Sequence, residues 1–112
     1  MFQSESDIEG YVRDTLKPWG FKVVKFKMPG TMGGMDRMIL FPYYQPSPPE
    51  FVEFKKPSGR HAPIQHAMRQ DFVRRGCVVH EPIWSMEQAR NFCQRMIWRV
   101  REKHTQLKDS LL

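Results

Sequence analysis

The sequence predicts an α/β domain in which a small sheet packs against helices. Segments 4–17, 63–75 and 85–103 set apolar residues at helical intervals, whereas 21–28, 37–41, 50–55 and 77–80 alternate or run β-branched. The resulting order, αβββαβα, requires helices layered on a sheet in two or three layers. At 112 residues the chain has enough material for one core and is read as a single domain over 1–112, with a core at about 4–103 and a flexible tail from 104 to 112.

The first helix opens where Ser4 or Ser6 can cap. Acids cluster in its first turn, and Ile8, Tyr11, Val12, Thr15 and Leu16 recur on one side. "KPWG" stops it. "FKVVKFKM" reads as a strand and "PGTMGG" as the loop after it, while "RMILF" and "EFVEFK" read as an antiparallel hairpin joined through the proline-rich "PYYQPSPP". The second helix, Pro63 to Arg75, ends at Gly76, a common helix terminator. "CVVH" follows as a short strand. From Ser85 to about Lys103 a third helix carries Met86, Ala89, Phe92, Cys93, Met96, Ile97 and Val100 at intervals of three and four residues.

With 18 Lys+Arg against 12 Asp+Glu, the net charge is +6 and the pI about 9.6. That balance suits a polyanionic partner and equally a basic soluble surface, so charge alone does not choose between them. No apolar run reaches the roughly 20 residues that span a bilayer, and "MFQSESDIEG" is too acidic for a signal peptide, so a cytoplasmic protein with no membrane partner is expected. Cys77 and Cys93 are isolated thiols without CxxC spacing, expected to stay reduced.

The residues with chemical promise lie on the hairpin. In a strand, residues two apart share a face, so Glu53 and Lys55 project together while Val52 and Phe54 face the other way. Pairing Phe41 near Phe51 sets Asp36 at the far end of its strand, near Lys55 and within reach of Glu53. Two converging carboxylates repel unless a cation lies between them, and oxygen ligands suit Mg²⁺ or Mn²⁺. The lysine can hold an attacking water or a phosphate oxygen. An ordinary salt bridge on an exposed sheet face is the plain alternative for such a pair. Glu9 adds a further acid: with Ile8 at zero on a helical wheel, Glu5 lies near about 60°, Leu16 near about 80° and Glu9 near about 100°. An acid on an apolar stripe needs a cation or a cleft, unless Glu9 reaches back to cap Ser6 in a capping box.

Taken in order, Glu9, "WGF", "KFKMPGTMGGMDR" and "FVEFKKPSGRHAPIQ" resemble the PD-(D/E)XK nuclease superfamily, most closely its stand-alone virus-type replication-repair nuclease (VRR-NUC) branch, over about residues 5–85. Met35 stands where that family usually has proline. The resemblance implies a restriction-endonuclease-like fold: an αβββαβ core with a C-terminal helix and a mixed central sheet flanked by helices. It implies a Mg²⁺- or Mn²⁺-dependent endodeoxyribonuclease of phage or prokaryotic type, acting on branched DNA such as four-way (Holliday) junctions and working as a homodimer. By the same resemblance Asp36, Glu53 and the Phe54 backbone carbonyl bind the metal, Lys55 assists the water, Gln65 supports the site, and Glu9 binds through water or a second metal. An idle nuclease-fold protein that only binds nucleic acid, and a restriction-type nuclease on linear duplex, are the alternatives.

Lys25, Lys27, Arg37, Lys56, Arg60 and Arg69 surround this constellation in sequence and are expected to contact DNA phosphates, with plain solvated charge as the alternative. His61, His66, His80 and His104 lack zinc spacing. Tyr43 and Tyr44 at the hairpin tip are left between base stacking and packing. Trp84, Phe92, Met96 and Trp98 read as core or dimer contacts.

Overall fold

The structure is a computed structural model that describes residues 4–26, 36–55 and 63–110, with the backbone alone for 63–66. Helix α1 runs Glu5–Leu16 and begins in a capping box: the Asp7 amide donates to the Ser4 hydroxyl and the Ser4 amide to the Asp7 carboxylate, each at 3.0 Å. The cap therefore belongs to Ser4 and Asp7, and Glu9 is released from the capping role considered for it. A 3-10 turn over Lys17–Trp19 ends at Gly20, whose φ of 91° is left-handed backbone and whose added Cβ would meet the Pro42 Cβ at 2.7 Å.

Strands β1 (Lys22–Lys25), β2 (Arg37–Leu40) and β3 (Glu50–Val52) form an antiparallel sheet in that order. A fourth stretch runs parallel to β3 through bridges at Phe51–Val79 and Phe54–Ile83, so the sheet edge is mixed. Four backbone hydrogen bonds of 2.8 to 2.9 Å, among them His80 to Phe51 and Lys55 to Ile83, hold it there. The expected 77–80 strand is thus an extended segment paired at two points.

The β2–β3 register differs from the expected one. Met38, not Phe41, faces Phe51, and Arg37 faces Val52. The connection from Phe41 to Pro49 is too long for turn geometry to dictate pairing, and burial of Ile39 and Val52 decides it instead.

Alternation along β3 then sorts the layers. Val52 and Phe54 are buried with Ile8, Val12 and Leu16 of α1, and with Ala89, Phe92, Cys93, Met96 and Val100 of helix α3 (Met86–Ser110). Phe51 points the other way, onto Phe72 of helix α2 (Pro63–Arg74) and onto Phe26. The result is three layers, with α1 and α3 on one face of the sheet and α2 on the other. Ser85 caps α3, accepting from the Gln88 amide at 3.1 Å.

α3 does not stop near Lys103. It continues as helix to Ser110, with His104 packed against Trp19 and Tyr44. Among the described residues no helix is long and apolar enough to cross a membrane.

Candidate functional site

Continuing the observed register by one step beyond Arg37 and Val52 sets Asp36 opposite Glu53, and directly opposed residues of an antiparallel pair share a face. Two observations fix Asp36 in that place. Its carbonyl accepts from the Phe26 amide at 2.9 Å, prolonging the β1–β2 ladder, and its Oδ1 accepts from the Phe54 amide at 3.4 Å. In an extended strand a residue's carbonyl faces the same edge as its amide, so the Phe54 C=O also faces the Asp36 side. Two residues on, Lys55 returns to the Glu53 face, and its Nζ lies 2.7 Å from Glu53 Oε1. Glu53 is only 5% exposed.

Electrostatics mark Asp36 as the strained member. Burial pushes its carboxyl up to about 6; Arg37 and the Phe54 amide act against that rise, while the charges of Glu5 and Glu53 add to it. Desolvated carboxylates gathered at one edge of a sheet are arranged to gain from a hard cation. Asp36, Glu53 and the Phe54 carbonyl form an oxygen-only donor set, which fits Mg²⁺ or Mn²⁺ and not a softer metal. Among the described residues no three His, Cys, Asp or Glu side chains converge on a point. Two carboxylates with one carbonyl suit an ion that completes its shell with water.

Glu9 meets a cation of the protein itself. It lies on the α1 face of the sheet, where its Oε2 accepts from Arg37 Nη2 at 2.7 Å; the side chains are 16% and 12% exposed. The Arg37 bond is the main reason the Glu9 carboxyl is held below its ordinary value. Arg37 Nη1 also donates to the Asp36 carbonyl at 2.9 Å and lies 3.6 Å from Asp36 Oδ2.

Of the residues expected on DNA, Arg37 and Arg69 are turned onto protein partners. Arg37 faces inward because its position opposite Val52 aims it at α1. Arg69 Nη2 donates to Glu81 Oε1 at 2.8 Å and approaches the Val79 carbonyl at 3.4 Å, tying α2 to the parallel stretch. Lys25 is exposed but pairs across from Arg37, on the Glu9 face of the sheet and away from Glu53. Lys27, Lys56 and Arg60, and the Gln65 side chain, lie outside the described residues. Tyr43 is fully exposed, whereas the Tyr44 hydroxyl donates to the Trp19 carbonyl.

Sequence reasoning missed a second buried acid. Glu50, 3% exposed, accepts from Arg99 Nη1 and Nη2 at 2.7 Å each and lies 2.7 Å from His80 Nε2. Burial pushes this carboxyl up, yet the bonds from Arg99 and His80 together hold it below its ordinary value. The signal was present: two residues before Val52, Glu50 falls in the buried register of its strand, where an acid needs a partner.

A solved structure described as a VRR_NUC domain matches this one with a TM-score of 0.66 and 21% sequence identity, covering 82% of this chain and 97% of its own. No family model and no curated protein matches the sequence. The likeness establishes the fold: a mixed α/β domain of the VRR_NUC type, the fold that the order of elements and the spaced motifs predict.

Proposed function

We propose that the chain is a VRR-NUC nuclease, a Mg²⁺- or Mn²⁺-dependent endonuclease that hydrolyses phosphodiester bonds of branched DNA such as four-way junctions. The observation that carries this reading is the meeting, at one sheet edge, of Asp36, Glu53, the Phe54 backbone and the Lys55 ammonium 2.7 Å from Glu53. The fold shared with a VRR_NUC domain supports it, as does the net charge of +6.

In this reading Asp36, Glu53 and the Phe54 carbonyl hold the ion, which supplies Lewis-acid stabilisation of the charge building on the phosphoryl oxygens. Lys55 donates from Nζ to the attacking water and keeps it oriented. Water adds to phosphorus in line with the leaving oxygen and gives up one proton to bulk solvent, the P–O bond to the leaving oxygen breaks, and that oxygen takes up a proton from solvent. Gln65, at the start of α2, supports the site. Phosphate contacts from Lys27, Lys56 and Arg60 fix the duplex by shape, without reading bases.

A two-fold homodimer belongs to the same reading, because a symmetric junction needs two equivalent cuts. Trp98 on the outer side of α3 is 73% exposed. Packing two copies of α3 antiparallel about Trp98 would bury the two exposed indoles against each other. Trp98→Glu is expected to halve the mass measured by light scattering and to uncouple the two cuts, with Mn²⁺ binding unchanged; an unaltered mass would move the interface elsewhere.

The central test is Glu53→Ala on a panel of junction, flap, splayed and linear DNA. Cleavage of the junction with Mg²⁺ should fall on the order of 10³-fold, with junction binding in a gel shift retained. Wild-type protein that binds every substrate and cuts none would make this an idle binding module. A fixed cut pattern on linear duplex would make it a restriction-type enzyme.

A further inference from the structure

We infer that Glu9 is a positioning residue that holds Arg37 off the Asp36 carboxylate and so leaves that carboxylate open to a divalent cation, instead of binding the cation itself. The inference rests on the reading of Asp36 as a cation ligand.

Charge and geometry both argue for it. Glu9 reaches the face of the sheet that carries Arg37 and Lys25, and Arg13 and Lys25 join Arg37 among the cations that act on it. A carboxylate already bonded to one guanidinium, with Arg13 and Lys25 adding to the positive field on it, holds a divalent ion poorly. Asp36 has the opposite setting, with Glu5 and Glu53 beside it. Arg37 stands between the two. It makes a close ion pair with Glu9 at 2.7 Å and only a long approach to Asp36 Oδ2 at 3.6 Å, beyond a normal hydrogen bond. The guanidinium is nearly buried, and among the described residues its Nε has no hydrogen-bond partner. A buried cation that loses one anion moves to the next. Without the Glu9 charge the next anion is Asp36, and an arginine seated on that carboxylate competes with a metal for the same oxygens.

The direct measurement is calorimetric titration of MnCl₂ into metal-free wild type, Glu9→Gln and Glu9→Gln/Arg37→Met, each checked by its melting curve. Glutamine keeps an oxygen for Arg37 and removes the charge. Glu9→Gln should weaken Mn²⁺ binding about tenfold, the scale of one charge-assisted bond gained by the competing arginine. Adding Arg37→Met should bring affinity back to within about threefold of wild type, because the competitor is gone. If Glu9 were itself a ligand, the double variant would stay as weak as the single one, and that result overturns the inference while leaving the metal site standing. Affinity unchanged in Glu9→Gln overturns it as well. Wild type that takes up no Mn²⁺ removes the Asp36 reading and the inference together. Should the glutamine pair lose a cooperative melt, Glu9→Leu with and without Arg37→Met repeats the comparison.

Discussion

Asp36→Asn is expected to abolish Mg²⁺-dependent cleavage, by on the order of 10³-fold, and at the same time to raise the melting temperature of the metal-free protein at pH 8. Burial pushes the Asp36 carboxyl to about 6, above its ordinary 3.8. A pKa that is higher in the folded state means that folding favours the protonated form. The contribution to stability is fully present below pH 3.8 and is lost as pH rises through about 6. At pH 8 the metal-free fold therefore holds an unfavourably desolvated carboxylate, which asparagine replaces with a neutral group of the same shape. The gain over wild type should shrink toward pH 4. Added Mg²⁺ should raise the melting temperature of wild type and leave the variant where it is, and metal affinity of wild type should decline below about pH 6. Melting curves from pH 4 to 8, with EDTA or Mg²⁺, read all of these. An Asp36→Asn protein that Mg²⁺ stabilises as much as wild type would end the role given to this residue.

The largest loss of stability is expected at Glu50. Its carboxylate joins β3 to α3 through both Arg99 nitrogens and to the parallel stretch through His80. Arg99 in turn lies over the Phe41 ring, 4.7 Å from its centroid. Glu50→Ala leaves His80 without its acid and frees Arg99, which is exposed enough to regain water, so the cost is held to about 3 kcal/mol, the low end for breaking a buried pair. For a domain of this size that lowers the melting temperature by on the order of 10 °C. The Glu50 pKa is lowered on folding, so its contribution is present above pH 4.5 and is lost as pH falls through the depressed folded value. The difference between wild type and Glu50→Ala, followed by thermal melts, should therefore narrow in acid. An equal loss at every pH would assign the effect to packing instead of charge.

These two acids also mark how much could be read without coordinates. The helices were legible because Ile8, Val12 and Leu16, and Phe92, Met96 and Val100, recur at helical intervals and are all buried. The shared face of Glu53 and Lys55 followed from strand alternation, and their 2.7 Å contact agrees with it. The register that brings Asp36 to Glu53 was not legible. The expected pairing of Phe41 with Phe51, carried through strictly, sets Asp36 opposite Lys56 on the face away from Glu53, so the reach to Glu53 expected from it did not follow from that register. The observed pairing through Met38 lies an odd number of positions away and restores the shared face. Nothing in "PYYQPSPP" could reveal this, because only two- and three-residue turns specify register by their own chemistry.

Glu9 and Arg37 teach the same lesson. A wheel shows that an acid sits beside the apolar stripe, but not which cation meets it, since the partner comes from a strand 28 positions away. The order of helices and strands, and the type of fold they make, could be read from the residues alone, because periodicity and capping are properties of neighbours in the chain. Which carboxylates share a cation edge, and which arginine is turned inward, was decided only by strand register and layer packing, where the burial of Ile39, Val52 and Phe54 selects one pairing among several that local chemistry allows.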